Sequence, residues 1–369
     1  MIIFWVFFTA ILSFSLSSLV KHWSLKNKVA IQPPRERDLH KQPTPRLGGV
    51  AIVGAFLVVC TVLVAIYGDS HPVNFGFPYK TLGIAIDKRF LGILLAVVFI
   101  SLVMLIDDLF CLRPIYKLLA QTTAALILVL TGIGLVYINN PFGNTIYLDS
   151  IKIPIQIGAN IFHFVFWADI FLIAWVILLT NATNFIDGLD GLAATLGLVA
   201  FITLGVLSYQ IGQQSTALLS AITAGAIIGF LPFNLPPAKM FLGDVGSMFV
   251  GLMLAAISVI SGGKLAALLM VFALVILDAV YVIVKRILRG KNPLTTPDQT
   301  HLHHRFLHLG VPPGLTLLII VALSSAFGVS ALILTGKVKI LALAVLTLIS
   351  LLIFIASDLA LKRRRARGR

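Results

Sequence analysis

Five of the fourteen acidic residues in this 369-residue chain fall in three short clusters at the ends of apolar runs: Asp107 with Asp108, Asp187 with Asp190, and Asp244. A carboxylate at the centre of a bilayer costs at least about 2.5–3.5 kcal/mol on insertion scales. A chain that is 59% hydrophobic has no structural use for acids there, so acids kept in such places bind or react with something. Asp244 stands in Phe241-Leu-Gly-Asp-Val-Gly-Ser247. The flanking glycines let the backbone approach a ligand closely. A lone carboxylate in that setting suits Mg²⁺, which takes one or two protein oxygens and completes its shell with phosphates and water. An Asp before an apolar run is equally a helix N-cap, and spacing alone leaves both readings open.

The second cluster, Asn181-x-x-Asn184-x-x-Asp187-x-x-Asp190, can stack four polar side chains along one helical ridge, although Gly188 and Gly191 favour a loop entering a helix. Capping explains one of these residues and not four. In the third, Asp107 and Asp108 repel unless a cation or proton lies between them or they point apart; a simple interfacial stop to a helix accounts better for one Asp than for two. Cations gather in the segment 285–312, with Lys285, Arg286, Arg289, Lys291, His303, His304 and Arg305. Arg offers bidentate bonds to phosphate, and His exchanges protons near neutrality. The segment Pro33–Gly49 adds Lys41 and Arg46 in a loop stiffened by prolines and glycines.

These residues need a membrane body to hold them. Mean hydropathy is +1.03 and only 11% of residues are charged, which marks an all-α polytopic membrane protein and not a soluble domain. A membrane β-barrel would show short alternating segments instead. About eleven spans are expected, at 2–20, 48–67, 90–106, 115–136, 166–182, 190–209, 217–231, 246–261, 265–284, 314–335 and 340–359. Residues 1–20 lack a basic leading region and a cleavage site, and read as a retained first helix. With the N-terminus outside and the C-terminus cytoplasmic, about 21 of the 28 Lys and Arg residues lie inside. The net charge of +14 is therefore a topology signal and not a nucleic-acid footprint. Lys362–Arg365 reads as a topology signal and an anionic-lipid contact. Residues 137–165 predict a small external hairpin. Cys60 and Cys111 make no metal motif and leave the redox compartment open.

This orientation delivers the loops 21–47, 107–114, 183–190, 232–246 and 285–313 to one cytoplasmic face, as the active site of a single integral-membrane domain. Acids for a metal, cations for phosphate and a membrane body imply phosphoryl transfer involving a lipid phosphate. The competing class is a cation transporter. Transporter sites lie near the midplane between repeats, whereas no repeat is visible and the main acids lie at one interface. Asp278 is the exception, about 10 Å inside its helix end at 1.5 Å per residue; it reads either as a buried interhelical partner or as support for the site.

In Pro43–Gly49, Asp107-Asp108, Asn181–Gly191, Phe241–Ser247 and His301–Arg305 the chain resembles the polyprenyl-phosphate N-acetylhexosamine-1-phosphate transferase superfamily (glycosyltransferase family 4) over nearly its whole length. The resemblance implies transfer of a sugar-1-phosphate from a UDP-N-acetylhexosamine to undecaprenyl phosphate with release of UMP, at the cytoplasmic face of a bacterial cytoplasmic membrane. It implies Mg²⁺, with Mn²⁺ as a substitute, held by Asp244 and Asn184. Asp187, Asp190, Asn181 and Phe241 would serve the nucleotide and substrate, with Phe241 stacking on uracil. Lys41, His303, His304 and Arg305 would hold phosphates. Asp107 and Asp108 would face the lipid phosphate as catalytic residues, one of them the family's proposed general base. A homodimer is expected, as relatives often form one. The muramoyl-pentapeptide branch typically carries a His-His-His string. Here the string reads His303-His304-Arg305, which resembles the branch using UDP-N-acetylglucosamine to prime teichoic acid, O-antigen and related envelope polymers; another UDP-N-acetylhexosamine or UDP-MurNAc-pentapeptide is the alternative.

Overall fold

The computed structural model describes residues 1–33, 43–67, 73–74, 78–81, 84–138, 143–157, 160–260, 264–288, 290 and 301–367. Lys41 lies outside the described residues. The helices are α1 (Ile2–Asn27), α2 (Gly48–Tyr67), α3 (Lys88–Phe110), α4 (Pro114–Leu130), α5 (Phe166–Ile186), α6 (Leu192–Gln210), α7 (Gln214–Asn234), α8 (Gly243–Val259), α9 (Leu265–Val271), α10 (Ala273–Leu288), α11 (Leu302–His308), α12 (Pro313–Ile333) and α13 (Gly336–Arg367). Every apolar stretch expected to be a span falls on one of these or on the α9–α10 pair. Among the described residues, eight helices are long and apolar enough to cross a membrane, or nine if the bent pair counts as one span. The chain is a multi-pass membrane protein.

The stretch 265–284, expected as one span, is broken: α9 and α10 meet at 72°. No Pro or Gly marks the break at Phe272, so hydropathy cannot see it. α4 and α8 are short, with 17 residues each, about 25 Å at 1.5 Å per residue. Short two-stranded pairs complete the fold. Within 137–165 two hairpins form where one was expected, β5 (Tyr137–Ile138) with β6 (Ile146–Tyr147) and β7 (Lys152–Ile157) with β8 (Asn160–Val165). Ile31–Gln32 (β1) also pairs with Thr44–Pro45 (β2), and Pro78–Thr81 (β3) with Ile84–Asp87 (β4).

Every residue of α8 is buried, and α2, α3, α5 and α6 pack around it. A helix apolar on all faces belongs inside a bundle, and the small residues of α8 let its neighbours come close. A methyl group on Gly49 would lie 2.0 Å from the backbone nitrogen of Gly246, so α2 and α8 touch backbone to backbone. Gly48 N–H donates to Phe241 O at 3.0 Å, Gly49 N–H to Leu242 O at 2.7 Å, and Phe241 N–H to Pro45 O at 2.8 Å. The Pro43–Gly49 and Phe241–Ser247 motifs, almost 200 residues apart, thus form one unit at the end of the pillar that carries Asp244.

Candidate active site

Asp244 lies in the first turn of α8. The preceding Gly243 has φ +73°, and a methyl group there would sit 2.1 Å from Arg46 O and 2.8 Å from Asp108 Oδ2; only glycine meets both demands. Asp108, near the end of α3, is buried, and its Oδ1 and Oδ2 accept the N–H groups of Asp244 at 3.0 Å and Val245 at 3.2 Å. It caps α8 from another helix, where the positive end of the helix dipole favours a negative charge. Asp107 points elsewhere: its Oδ1 accepts Leu112 N–H at 2.7 Å and its Oδ2 meets Lys117 Nζ at 2.6 Å. The adjacent pair escapes repulsion by diverging, with a cation on one member.

Lys117 Nζ also contacts Asp244 Oδ2, so one ammonium bridges α3 and α8. Asn184, on the last turn of α5, donates Nδ2–H to Asp244 Oδ1 at 3.0 Å and to Ser247 Oγ at 3.1 Å. Arg46 stands farther off, 3.8 Å from Asp108 and 3.9 Å from Asp244. Asp107, Asp108 and Asp244 each offer an oxygen within 4.8 Å of the others. Hard carboxylate donors beside an amide oxygen are what Mg²⁺ takes, and the position that Lys117 reaches is one where the local charge calls for a cation. With Asp108 committed to two N–H groups, the carboxylates that fit are Asp107 and Asp244, with Asn184 beside them.

The cap yields an expectation of its own. Asp108→Ala leaves two buried N–H groups unmet, which costs about 1–3 kcal/mol each, and should lower the thermal midpoint measured in detergent by tryptophan fluorescence. Asp108→Asn keeps one oxygen acceptor and should unfold closer to the parent.

The second cluster divides. Asn181 donates Nδ2–H to Gln121 Oε1 at 2.9 Å and to Ile177 O at 2.8 Å, while Gln121 Nε2 reaches Met248 Sδ at 3.4 Å. It ties α5 to α4 and α8 one turn deeper than Asn184, because a three-residue step on a helix moves along the axis as well as around it. Asp190 Oδ2 accepts Ala238 N–H at 3.0 Å and anchors the segment leading to Phe241, itself half-buried. Asp187 ends α5. Burial, reinforced by the charges of Asp244 and Asp108, pushes its carboxyl well above the usual range; a divalent cation nearby would reverse the effect of those charges.

The histidine string lies on α11. His303 is buried, its ring 4.2 Å from that of His304, and its Nε2 has no hydrogen-bond partner among the described residues. A methyl group on Gly188 would lie 2.8 Å from His303 Nε2 and 3.4 Å from His304 Nε2, so both rings face the Asp187–Asp190 turn. Burial first, then the neighbouring His304 and His301, hold His303 well below the usual imidazole range. That environment favours the neutral ring, which offers a hydrogen bond toward the turn. Arg305, expected at the phosphates, points to other partners. It is 1% exposed, donates to Phe354 O at 3.2 Å, lies 3.6 Å from Asp358 Oδ1 and covers the Tyr281 ring at 4.5 Å. Two residues along a helix is about 200° of rotation, so Arg305 faces α13 while His303 faces the turn. Lys285 also pairs with Asp358, at 2.6 Å.

Lys117 is what sequence reasoning missed, counting it only toward membrane orientation. Its signal is that Pro114 starts α4, which places a lysine one turn inside a helix with no other charged residue.

The family model described as glycosyl transferase family 4 matches residues 90–262, a stretch containing Asp107, Asp108, Lys117, Asn184, Asp187, Asp190 and Asp244. The decaprenyl-phosphate N-acetylglucosaminephosphotransferase of Mycolicibacterium smegmatis is 36% identical over 312 residues, covering 76% of this chain and 69% of that protein. The chain belongs to glycosyl transferase family 4, the polyprenyl-phosphate N-acetylhexosamine-1-phosphate transferases. Within family 4 it is also similar to a probable undecaprenyl-phosphate N-acetylglucosaminyl 1-phosphate transferase of Bacillus subtilis, at 28% identity over 93% of this chain and 87% of the relative. The phospho-N-acetylmuramoyl-pentapeptide-transferase of Streptococcus pyogenes serotype M5 is 34% identical over 74% of this chain and 76% of its own length. As a family 4 member this protein is a membrane glycosyl-1-phosphate transferase acting on a polyprenyl phosphate.

Proposed function

We propose that the protein transfers N-acetylglucosamine-1-phosphate from UDP-N-acetylglucosamine to undecaprenyl phosphate, releasing UMP and leaving undecaprenyl-diphosphate-N-acetylglucosamine, the first membrane step of an envelope polymer. The observation that carries this reading is the carboxylate cluster at the joined ends of α3 and α8, crossed by Lys117 and faced by Asn184. The positive-inside distribution of Lys and Arg supports a site on the cytoplasmic face of a bacterial cytoplasmic membrane. The names of the two N-acetylglucosamine-transferring relatives, together with His303-His304-Arg305 in place of a triple histidine, support the sugar.

In the proposed reaction a lipid-phosphate oxygen attacks the sugar-bearing phosphorus in line, and the bond to the UMP oxygen breaks. Mg²⁺ held by Asp244, Asp107 and Asn184 would neutralise charge on the diphosphate. Lys117 and Arg46 bring positive charge to the transferring group. His303 and His304 offer hydrogen bonds from the Asp187–Asp190 side. A phosphate monoester has its second pKa near 6, so the nucleophile is already ionised at neutral pH and little proton remains for Asp107 to remove. Asp107 then acts by positioning Lys117 and the metal. Raising the pH should not rescue Asp107→Asn in initial-rate assays; substantial rescue would return the base role to it.

The deciding experiment gives purified protein undecaprenyl phosphate, Mg²⁺ and a panel of UDP-sugars including UDP-MurNAc-pentapeptide, and identifies the lipid product by mass. A lipid-diphosphate-N-acetylglucosamine product, lost in EDTA and restored by Mg²⁺ or Mn²⁺, is expected. A muramoyl-pentapeptide product or metal-independent turnover would overturn the corresponding part of the reading.

A further inference from the structure

Asp278, on α10, is 3% exposed, and its two carboxylate oxygens are both spent on the start of the histidine string. Oδ2 lies 2.9 Å from His301 Nδ1, and Oδ1 accepts the Leu302 N–H at 3.0 Å. A carboxylate only accepts, so Nδ1 of His301 carries the proton. The His301 side chain makes no cap of its own for α11; Asp278 supplies it from α10. The His301 ring stacks on His303, with centroids 5.9 Å apart and planes 8° apart, and lies 5.8 Å from the Phe185 ring, next in sequence to Asn184. His303 in turn presents its Nε2, which has no hydrogen-bond partner among the described residues, toward Gly188. A buried polar atom without a partner costs free energy, and in this protein it faces the turn beside the carboxylate cluster.

We infer that Asp278 is a positioning residue for nucleotide-sugar binding: by fixing the tautomer and plane of His301 and the start of α11, it aims His303 Nε2 at a sugar-diphosphate held over the Asp187–Gly188 turn. This rests on the reading of the site as one for a UDP-sugar. Carboxylates that orient a metal-bound histidine through its other nitrogen typically change affinity or activity by about 10- to 100-fold when removed, and the lower end of that range is the expectation for a histidine that only donates or accepts a hydrogen bond. Asp278 touches no substrate in this arrangement; its effect passes through the rings of His301 and His303.

Asp278→Asn separates this from a structural role. The amide oxygen still accepts Leu302 N–H, while the NH₂ now donates to His301 Nδ1 and drives the ring proton to Nε2. The expected result is an unchanged thermal midpoint, a KM for the UDP-sugar raised about tenfold with kcat within about twofold, as for an interaction equal in ground and transition states, and ¹⁵N signals of His301 showing the proton moved between ring nitrogens. His301→Asn, which keeps a donor for Asp278 but removes the stacked ring, should raise KM similarly, and the two changes together should do no more than either alone. The inference is overturned by an unchanged KM, by a KM rise that adds fully across the two variants, or by a lowered thermal midpoint with parent kinetics. If Asp278→Asn does not fold, His301→Asn decides alone: a parent-like KM sinks the inference. A parent protein that binds and turns over no UDP-sugar defeats the functional reading and this one with it, whereas an active parent with unaffected variants defeats this one only.

Discussion

Asp244→Asn should reduce transfer about a thousandfold in kcat while the protein still folds. Asp244 brings together Lys117, Asn184 and Arg46 from three different segments, and it is the acid placed at the tip of the buried pillar. Removing its charge removes the strongest donor for a divalent cation. Metal stabilisation of a transferring phosphoryl group is worth several kcal/mol, and about 4 kcal/mol is a thousandfold in rate. The cap on α8 is supplied by Asp108 through backbone N–H groups, which the substitution leaves alone, so the thermal midpoint should hold. The measurement is UMP release under saturating substrates, with Mg²⁺ titrated over a wide range. Activity within tenfold of the parent at any Mg²⁺ concentration would take the metal away from Asp244.

Lys117→Met should produce the next largest loss, with a different signature. The ammonium spans Asp107 and Asp244, and without it two carboxylates face each other with nothing between. A cation is then bound more tightly, because competition from Lys117 is gone, yet the transferring phosphate loses a positive partner. We expect kcat to fall about a hundredfold or more, in the range seen when one preorganised donor is removed, while the Mg²⁺ concentration for half-maximal activity decreases. Lys117→Arg should recover little, since a planar fork does not fill the place of a compact point charge. If the Mg²⁺ requirement rose along with the fall in kcat, Lys117 would be supporting the metal and not sharing its ligands.

The gathering of Asp107, Asp108 and Asp244 was legible in the sequence because acids are conspicuous in an apolar chain, and the places of the apolar helices because hydropathy is a property of each run by itself. What escaped depends on contacts between runs. Asp107 and Asp108 are indistinguishable in sequence; that one faces Lys117 and the other α8 follows from how α3 packs on its neighbours. Asn181 and Asn184 look like successive members of one ridge, but only the second reaches the level of Asp244, and Gln121 on α4 claims the first. His303 and Arg305 read as one basic string, and their side chains leave α11 in opposite directions, one toward Gly188 and the other toward Asp358. The bend at Phe272 has no residue to announce it. Lys117 was visible and undervalued, since a lysine near a helix end is usually only a topology marker.

The cap that Asp108 places on α8 also bears on how fast such a site can work. Because an acid from α3 fixes the backbone of Asp244 before any ligand arrives, the cluster is already assembled in the resting protein. Charges and dipoles held in place by covalent structure and packing need no reorganisation as charge develops on a transferring group. Substrate binding energy is then free to align the two phosphates, where effective concentration is the larger lever. In the proposed reaction, the reorganisation left to each cycle is then that of the two substrates and not of the acid cluster.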